Sequence, residues 1–549
     1  MRTGGLGDAG TPQGRDDVVD VVVLGSGCAG MTAALSAADH GAEVALLEKA
    51  DVLGGTTALS SGVAWLPANR HQAAYDVEDS RDDALAYLES LSHGFIRPEM
   101  AEAFVDTVDE MLDWAEERTP LKMRLVAGYP DYHPEHPGGK PGGGRSTEPE
   151  LFSFHELGEW ADRFLGFRRS MYVGETPVGG GTGFLEPEEE QRRADERLEG
   201  LGRGMLGALL KGLLDRRVQV HTGAEATSLL TDNGRVVGVE LADGRRVNAR
   251  RGVVLATGGF EREPDLVRAF LRGPISHSPG APTNTGDGLR MAMRLGAQLD
   301  VMREAWWVPV VTLPGHEGEQ YSGHGVQLVQ RERTLPRTIM VNAQGRRFTN
   351  EAANYNALGA AFHVFHPTRF AYENQPAWAV FDQGFVEAYG GYGVPPGGEM
   401  PAWMTRADTV AGLAEAIGVP ADELDATVER WNDLCAQGRD VDHGRGESAY
   451  DGWCGDRAHY PGAAATLGPL DRGPFYAVPV HSSSLGTKGG PLTTPDCEVV
   501  DVDREVIPGL FAVGNVMAAP TGMVYGGAGG TLGPALVFGY RCGLAVAKA

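Results

Sequence analysis

An aliphatic run at residues 20–24 (DVVVL) leads without a break into Gly25-Ser26-Gly27-Cys28-Ala29-Gly30. A short β-branched run of this kind reads as a buried parallel strand. Residues 31–42 (MTAALSAADHGA) then read as a helix, and residues 43–47 (EVALL) as a second strand ending at Glu48. The glycines allow a tight turn, and they let a diphosphate approach the helix N-terminus. Glu48 follows Gly30 by 18 residues, where a carboxylate can accept from ribose hydroxyls. This strand–turn–helix–strand unit commits the chain to an α/β fold. Its turn residues Gly25, Ser26, Gly27, Cys28, Ala29 and Gly30, with Glu48, are candidates for binding a dinucleotide.

The next segment separates the dinucleotides. Residues 49–62 (KADVLGGTTALSSG) place a Gly-Gly pair and several hydroxyls directly after the ribose acid. Such a loop suits the pyrophosphate and isoalloxazine of FAD, and NAD enzymes have no common need for it. Lys49, Gly55, Thr56, Thr57, Ser60, Ser61 and Gly62 are the candidate contacts. Residues 252–259 (GVVLATGG) and 509–515 (GLFAVGN) are two more strands ending in glycine turns. They add Thr257, Gly258, Gly259, Gly514 and Asn515. Pieces spread this widely describe one sheet assembled from separated sequence, so the residues between them form an insertion. Residues 218–247 read as a β-meander with Asn-Gly and Asp-Gly turns. The expected architecture is a discontinuous, Rossmann-like FAD-binding domain of residues 17–308 and 476–549. An inserted α+β substrate domain of residues 309–475 contains an amphipathic helix at 421–435, and residues 1–16 form a disordered lead-in. Substrate is expected between the domains, with glycine loops at 138–144 and 179–183 gating entry.

Composition narrows the partners. The chain has 549 residues, too many for one ordinary core, and a formal charge of −26. That charge repels nucleic acid and anionic membrane surfaces. No apolar stretch is long enough to span a bilayer. The five cysteines, Cys28, Cys435, Cys454, Cys497 and Cys542, show no metal, haem or iron–sulfur spacing. The sparse, odd set points to a reducing compartment, with the cytoplasm as the default. His133 and His136 lie near Asp131 and Glu135, but Pro130, Pro134 and Pro137 prevent a helix from aligning them. No metal is expected. Residues 186–190, four of them glutamates, read as a solvated helix start.

The segments DVVVLGSGCAGMTAAL, LLEKADVLGGTTALSSGVAWLP, GVVLATGGF, NTGDGLRMAMRLGA and GLFAVGNVMAAPTGMVYGGAGGTLGPALVFGY resemble the fumarate reductase/succinate dehydrogenase flavoprotein superfamily. Within it, residues 54–67, 128–149, 337–355 and 525–530 resemble 3-ketosteroid dehydrogenases, especially the Δ1 type. The resemblance implies FAD held without a covalent bond, since the loop GGTTALSSG lacks the histidine that succinate dehydrogenases use. It adds Ala226, Asp287, Gly530 and Leu532 to the cofactor contacts. His366-Pro367-Thr368 follows Asn350-Glu351, the reverse of the fumarate reductase order, which argues against dicarboxylate reduction.

The implied activity is α,β-desaturation of a cyclic ketone, a 3-ketosteroid at carbons 1 and 2. A smaller ring such as 4-oxocyclohexanecarboxylate, Δ4 regiochemistry, enoate reduction and a non-catalytic flavin carrier are the alternatives. The electron acceptor is a quinone, a dye or O2, and the sequence does not set the oligomeric state. Tyr355 matches the proton-abstracting tyrosine, Tyr525 the one that binds the ketone, and Gly529 the second carbonyl donor through its N–H. Tyr132 or Tyr129 matches the supporting tyrosine, with Tyr132 preferred. A tyrosine base has an ordinary pKa of about 10 and needs a partner to lower it. One departure bears on the substrate's pose: the Δ1 group has proline after the ketone-binding tyrosine, and Gly526 stands here. Lys488, in a loop resembling one near the flavin pyrimidine edge, either stabilises reduced flavin or sits at the surface. Trp65, Trp306 and Trp307 either wall an apolar pocket or pack the core.

Overall fold

The computed structural model describes residues 17–314 and 325–549; the expected lead-in lies outside the described residues. Strands Glu498–Val500, Val506–Ala512, Arg246–Leu255, Asp17–Leu24, Val44–Leu47 and Gln219–His221 lie side by side in that order. Only the first pair is antiparallel. Leu24 stands level with both Leu47 and Leu255, and Leu255 with Ala512. Four strands from distant parts of the chain thus end on one line, the edge where open α/β sheets bind ligands.

Val21, Val22 and Val23 are fully buried, because helices cover both faces of a parallel sheet. Helix Cys28–Asp39 begins inside the glycine turn, three residues earlier than its sequence pattern predicts. It lies against the C-terminal helix Leu532–Val546. Small residues make this approach close: a side chain on Gly539 would meet Thr32 at 2.9 Å. The Ser36 hydroxyl donates to the Tyr540 carbonyl at 2.9 Å.

The meander is shorter than its sequence implies. Gln219–His221 joins the main sheet instead, parallel to Val44–Leu47. The hairpin is Ala226–Asp232 with Arg235–Leu241, turned by Asn233 and Gly234, both at positive φ. Arg246–Leu255 pairs with the hairpin through its first residues and with the main sheet along its length.

A second sheet is wholly antiparallel. Its order is Val326–Leu328, Ala305–Thr312, Phe475–Thr487, Ala377–Asp382, Thr338–Asn342, with Thr405–Ala407 also on Phe475–Thr487. Both faces are covered. Met340, Phe381 and Val478 pack with Phe362 and Phe385. The alternate residues Ile339, Val341, Val380 and Ala477 pack under Leu424, Val428 and Trp431 of helix Ala421–Gln437. That helix runs two residues beyond its predicted end and stops at Gly438, whose φ is 71°. Among the described residues no helix is long and apolar enough to cross a membrane.

Candidate active site

A cavity of about 860 Å³ opens at the carboxyl ends of the parallel strands and extends under the second sheet. The turn residues Gly25, Ser26, Gly27, Cys28 and Ala29 line it, with Glu48 and Lys49. So do Gly55, Thr56, Thr57, Ser60 and Ser61 of the following loop. Ala226, Thr257, Gly258, Asp287, Gly514, Asn515 and Leu532 complete this stretch of the wall. The Glu48 carboxylate accepts from the Ser26 amide at 3.0 Å and its hydroxyl at 2.6 Å, which holds the glycine turn onto the second strand. Thr57 accepts from the Cys28 amide at 3.1 Å. Lys49 pairs with Asp287 at 2.6 Å.

The wall suits FAD. It offers bare backbone at a turn where Gly25, at φ 108°, has the Ala256 carbonyl in the place of a side chain. One carboxylate stands at the second strand's end, and a run of hydroxyls follows. Burial pushes the Cys28 thiol up to about 12, so it stays protonated.

Four predicted contacts lie behind this wall rather than in it. Gly30 faces the Gly25 carbonyl, and Gly62 faces Leu201. Gly259 faces Thr487 and Glu261, and a Cβ on Gly530 would meet the Tyr525 ring at 2.5 Å. Each is a place where two backbones or a backbone and a ring come too close for a side chain.

Tyr355 opens helix Tyr355–Phe362, whose cap is the Asn354 side chain, accepting from the Ala357 amide at 2.9 Å. The same asparagine donates to the Tyr132 carbonyl at 3.3 Å. Upstream, Glu351 is buried beside Arg347 and Arg445. Burial opposes its ionisation, but the two guanidiniums hold its pKa down at about 2. The segment carrying Tyr355 is therefore anchored at both ends.

The three tyrosine hydroxyls form a chain. Tyr132 donates to Tyr355 at 2.9 Å, and Tyr355 donates to Tyr525 at 3.0 Å. Thr531 donates to Tyr525 at 3.4 Å. All three tyrosines are buried and face the cavity. Burial raises Tyr355 well above the ordinary tyrosine range and the neighbouring Tyr525 adds to this, while the bond donated by Tyr132 pulls it back down. Tyr129 also lines the cavity but packs at a tilt against Trp453, with ring centroids 5.3 Å apart. Tyr132 is the one whose hydroxyl meets Tyr355.

Gly529 borders the cavity at φ 91°, and a Cβ there would lie 2.5 Å from the Val63 backbone. Its carbonyl accepts from the Trp65 amide at 2.9 Å. Among the described residues no protein group accepts from its N–H. Gly526 has a structural reason of its own. Its carbonyl accepts from the Tyr132 amide at 2.9 Å and the Tyr87 hydroxyl at 2.7 Å. A Cβ at Gly526 would meet the Trp65 ring at 3.0 Å, so a larger residue here would press on that ring.

Several supporting residues escaped the sequence reading. Arg145 is fully buried and bridges Asp79 at 2.6 Å to Asp131 at 2.8 Å. Asp131 also accepts from the Trp65 indole at 2.8 Å, which sets the floor beneath Tyr132. Glu261 is buried against Asn284 at 2.6 Å, and the same Asn284 nitrogen reaches Thr56 at 3.0 Å. Burial raises Glu261 to about 7. Isolated acids carry no periodic signal, and Asp131 drew attention only as a neighbour of His133 and His136.

Other expectations resolve differently. Lys488 is 1% exposed, so its reading as a surface residue is wrong. Trp65 and Trp307 pack the core against Phe104 and His363. Trp306 packs on Tyr525. In the loop at 138–144, Gly138 sits against Asp83 and Gly143 against Tyr129, so that loop braces the site from behind. His366 lies in a small hairpin, Phe365–His366 with Ala371–Tyr372, away from the cavity wall.

Known proteins are similar in sequence and fold. The family model described as FAD binding domain matches residues 20–532. The chain is 40% identical to 4-oxocyclohexanecarboxylate 2-dehydrogenase of Sinomonas cyclohexanicum, over 98% of this chain and 94% of that one. It is 38% identical to 3-oxosteroid 1-dehydrogenase of Mycobacterium tuberculosis, over 96% of this chain and 98% of that one. Among solved structures, it superposes on 3-ketosteroid Δ1-dehydrogenase of Sterolibacterium denitrificans, in complex with 1,4-androstadiene-3,17-dione, with a TM-score of 0.87. There the identity is 34%, covering 97% of this chain and 100% of the other. With the glycine turn, the Glu48 carboxylate and the cavity wall already in place, the chain belongs to the FAD-binding family of flavoprotein oxidoreductases, in the group that holds the 3-oxosteroid and 4-oxocyclohexanecarboxylate dehydrogenases.

Proposed function

We propose that the chain desaturates a cyclic ketone beside its carbonyl, and that the ketone is a 3-ketosteroid oxidised at carbons 1 and 2. The observation that carries this is the buried hydroxyl chain from Tyr132 through Tyr355 to Tyr525, facing the cavity. Tyr525 and the free N–H of Gly529 are two donors for one carbonyl oxygen. Donors aimed at an oxygen that gains charge lower the barrier to enolisation. Tyr355 takes the proton from the α carbon, and Tyr132, by donating to Tyr355, favours its phenolate form. Bound FAD supplies the acceptor for the hydride that leaves the adjacent carbon. Val63, Val178, Leu201, Leu328 and Leu485 give the same cavity an apolar side, which suits a hydrocarbon ring system. The electron acceptor in this reading is a quinone, a dye or O2, and the setting is the cytoplasm.

A smaller ketone is the second reading. It is favoured by the relative of 40% identity whose name gives 4-oxocyclohexanecarboxylate as its substrate. Anaerobic mixing of the flavoprotein with 4-androstene-3,17-dione, following flavin absorbance, separates the two. Rapid bleaching with a newly conjugated product supports the steroid reading. Bleaching only by 4-oxocyclohexanecarboxylate keeps the tyrosine chemistry and shrinks the substrate. No bleaching by either overturns ketone desaturation.

A further inference from the structure

Lys488 is the buried cation that the proposed chemistry leaves unused. Its ammonium donates to the Met523 carbonyl at 2.7 Å and to the Val524 carbonyl at 2.9 Å. These are the two peptide groups that immediately precede Tyr525. The same ammonium lies 4.0 Å from the centroid of the Trp306 ring. Trp306 in turn meets Tyr525 edge to face at 4.9 Å, and its indole N–H donates to Asn515 at 3.0 Å. Lys488 therefore touches two of the groups that locate Tyr525: the backbone leading into it and one of the rings packed on its side.

The part of this segment after Tyr525 is held by the Tyr132 amide and Tyr87 hydroxyl at the Gly526 carbonyl and by the Trp65 amide at the Gly529 carbonyl, whereas the Met523 carbonyl before it is taken by Lys488. Between strand Val506–Ala512 and helix Leu532–Val546 the chain is turns and one short 3-10 helix, and it is rich in glycine. Buried carbonyls in such a loop lack ladder partners and must be satisfied by side chains. Lys488 is well placed to do so because its own backbone is pinned, with its amide donating to Glu304 at 3.0 Å and its carbonyl accepting from Ala519 at 2.8 Å. Burying an ammonium this deeply is costly unless it is fully hydrogen-bonded. Among the described residues no carboxylate forms an ion pair with it. Its partners are the two carbonyls and the indole face.

We propose that Lys488 is a positioning residue for Tyr525, clamping the two preceding carbonyls and the Trp306 ring so that the phenol points at the substrate carbonyl. The proposal rests on the reading of Tyr525 as the carbonyl donor. Lys488→Met removes both hydrogen bonds and keeps the length. Lys488→Gln keeps a donor for the carbonyls without the charge.

The test uses the FAD-loaded enzyme with 3-fluorotyrosine at position 525, read by 19F NMR, beside steady-state kinetics. Lys488→Met is expected to shift or broaden the 525 resonance and to lower kcat/KM by roughly 10- to 100-fold, the scale of a misplaced contact in an active site. Lys488→Gln is expected to restore both to near the parent. In a Tyr525→Phe background, Lys488→Met is expected to cost less than about threefold, because the group it positions is gone. An unmoved resonance in Lys488→Met, or full additivity with Tyr525→Phe, would overturn the clamp. A moved resonance with Tyr525→Phe as active as the parent would instead overturn the role of Tyr525 and leave the clamp standing.

Discussion

Tyr132 donates its hydroxyl to that of Tyr355 at 2.9 Å, across 223 positions of sequence. One residue comes from a proline- and glycine-rich loop and the other from the first turn of a helix. Their meeting sets the polarity of the hydroxyl chain: Tyr355 receives a hydrogen bond on one side and gives one to Tyr525 on the other. Once such a phenol has lost its proton, the Tyr132 hydroxyl still donates to the phenolate oxygen, which can then accept a proton.

Replacing Tyr355 by Phe removes the oxygen that takes the proton in the proposed reaction and leaves the ring's packing in place. The variant is expected to bind FAD with the parental flavin-to-protein absorbance ratio and to lose ketone-dependent bleaching. Anaerobic stopped-flow absorbance checks both. Bleaching at the parental rate would remove Tyr355 from the mechanism.

Tyr132→Phe acts through ionisation. Tyr132 donates to the Tyr355 oxygen, which favours the phenolate and lowers its pKa. Loss of that donor raises it. The rise of kcat/KM with pH should therefore move to higher pH, and the rate at neutral pH should fall. A pH–rate profile with its rising limb unmoved would show that Tyr132 does not tune Tyr355.

Gly529→Ala tests the second carbonyl donor. Position 529 has a φ of 91°, and the new Cβ would lie 2.5 Å from the Val63 backbone. Either the turn moves or Val63 does. The strain is of order 1–3 kcal/mol, and the turn bearing Tyr525 moves with it. Thermal unfolding should show the loss of stability, and kcat should fall more than FAD binding does.

Glu261→Gln has an effect that grows with pH. Burial raises Glu261 from the ordinary value of 4.5 to about 7 in the folded chain. Between those values the native state binds the extra proton, so wild-type stability falls as pH rises from 4.5 towards 7. A neutral glutamine escapes that penalty. Its advantage should be absent below about pH 4.5 and should level off above about pH 7, at roughly 3 kcal/mol. Unfolding midpoints measured for both proteins across this range check it, and a difference independent of pH would refute it.

Much of the architecture was legible in the residues themselves. The strand, glycine turn, helix and ribose acid follow from hydropathy period and from turns that only glycine allows. Those are short-range effects, carried by neighbours within a few positions, and the first helix and strand lie within three residues of where the pattern puts them. The helix at Ala421–Gln437 follows from its period in the same way. Family resemblance, not pattern, singled out Tyr132, Tyr355 and Tyr525. What the sequence alone left open was decided by contacts between distant segments. Tyr132 rather than Tyr129 reaches Tyr355 because the Gly526 carbonyl takes the Tyr132 amide. Lys488 is buried because the turn before Tyr525 brings the Met523 and Val524 carbonyls to it. Gln219–His221 left the meander because Val44–Leu47 offered a parallel edge. Hydrogen-bond satisfaction inside a packed core is settled only when both sheets and their loops are in place, and no local pattern carries it.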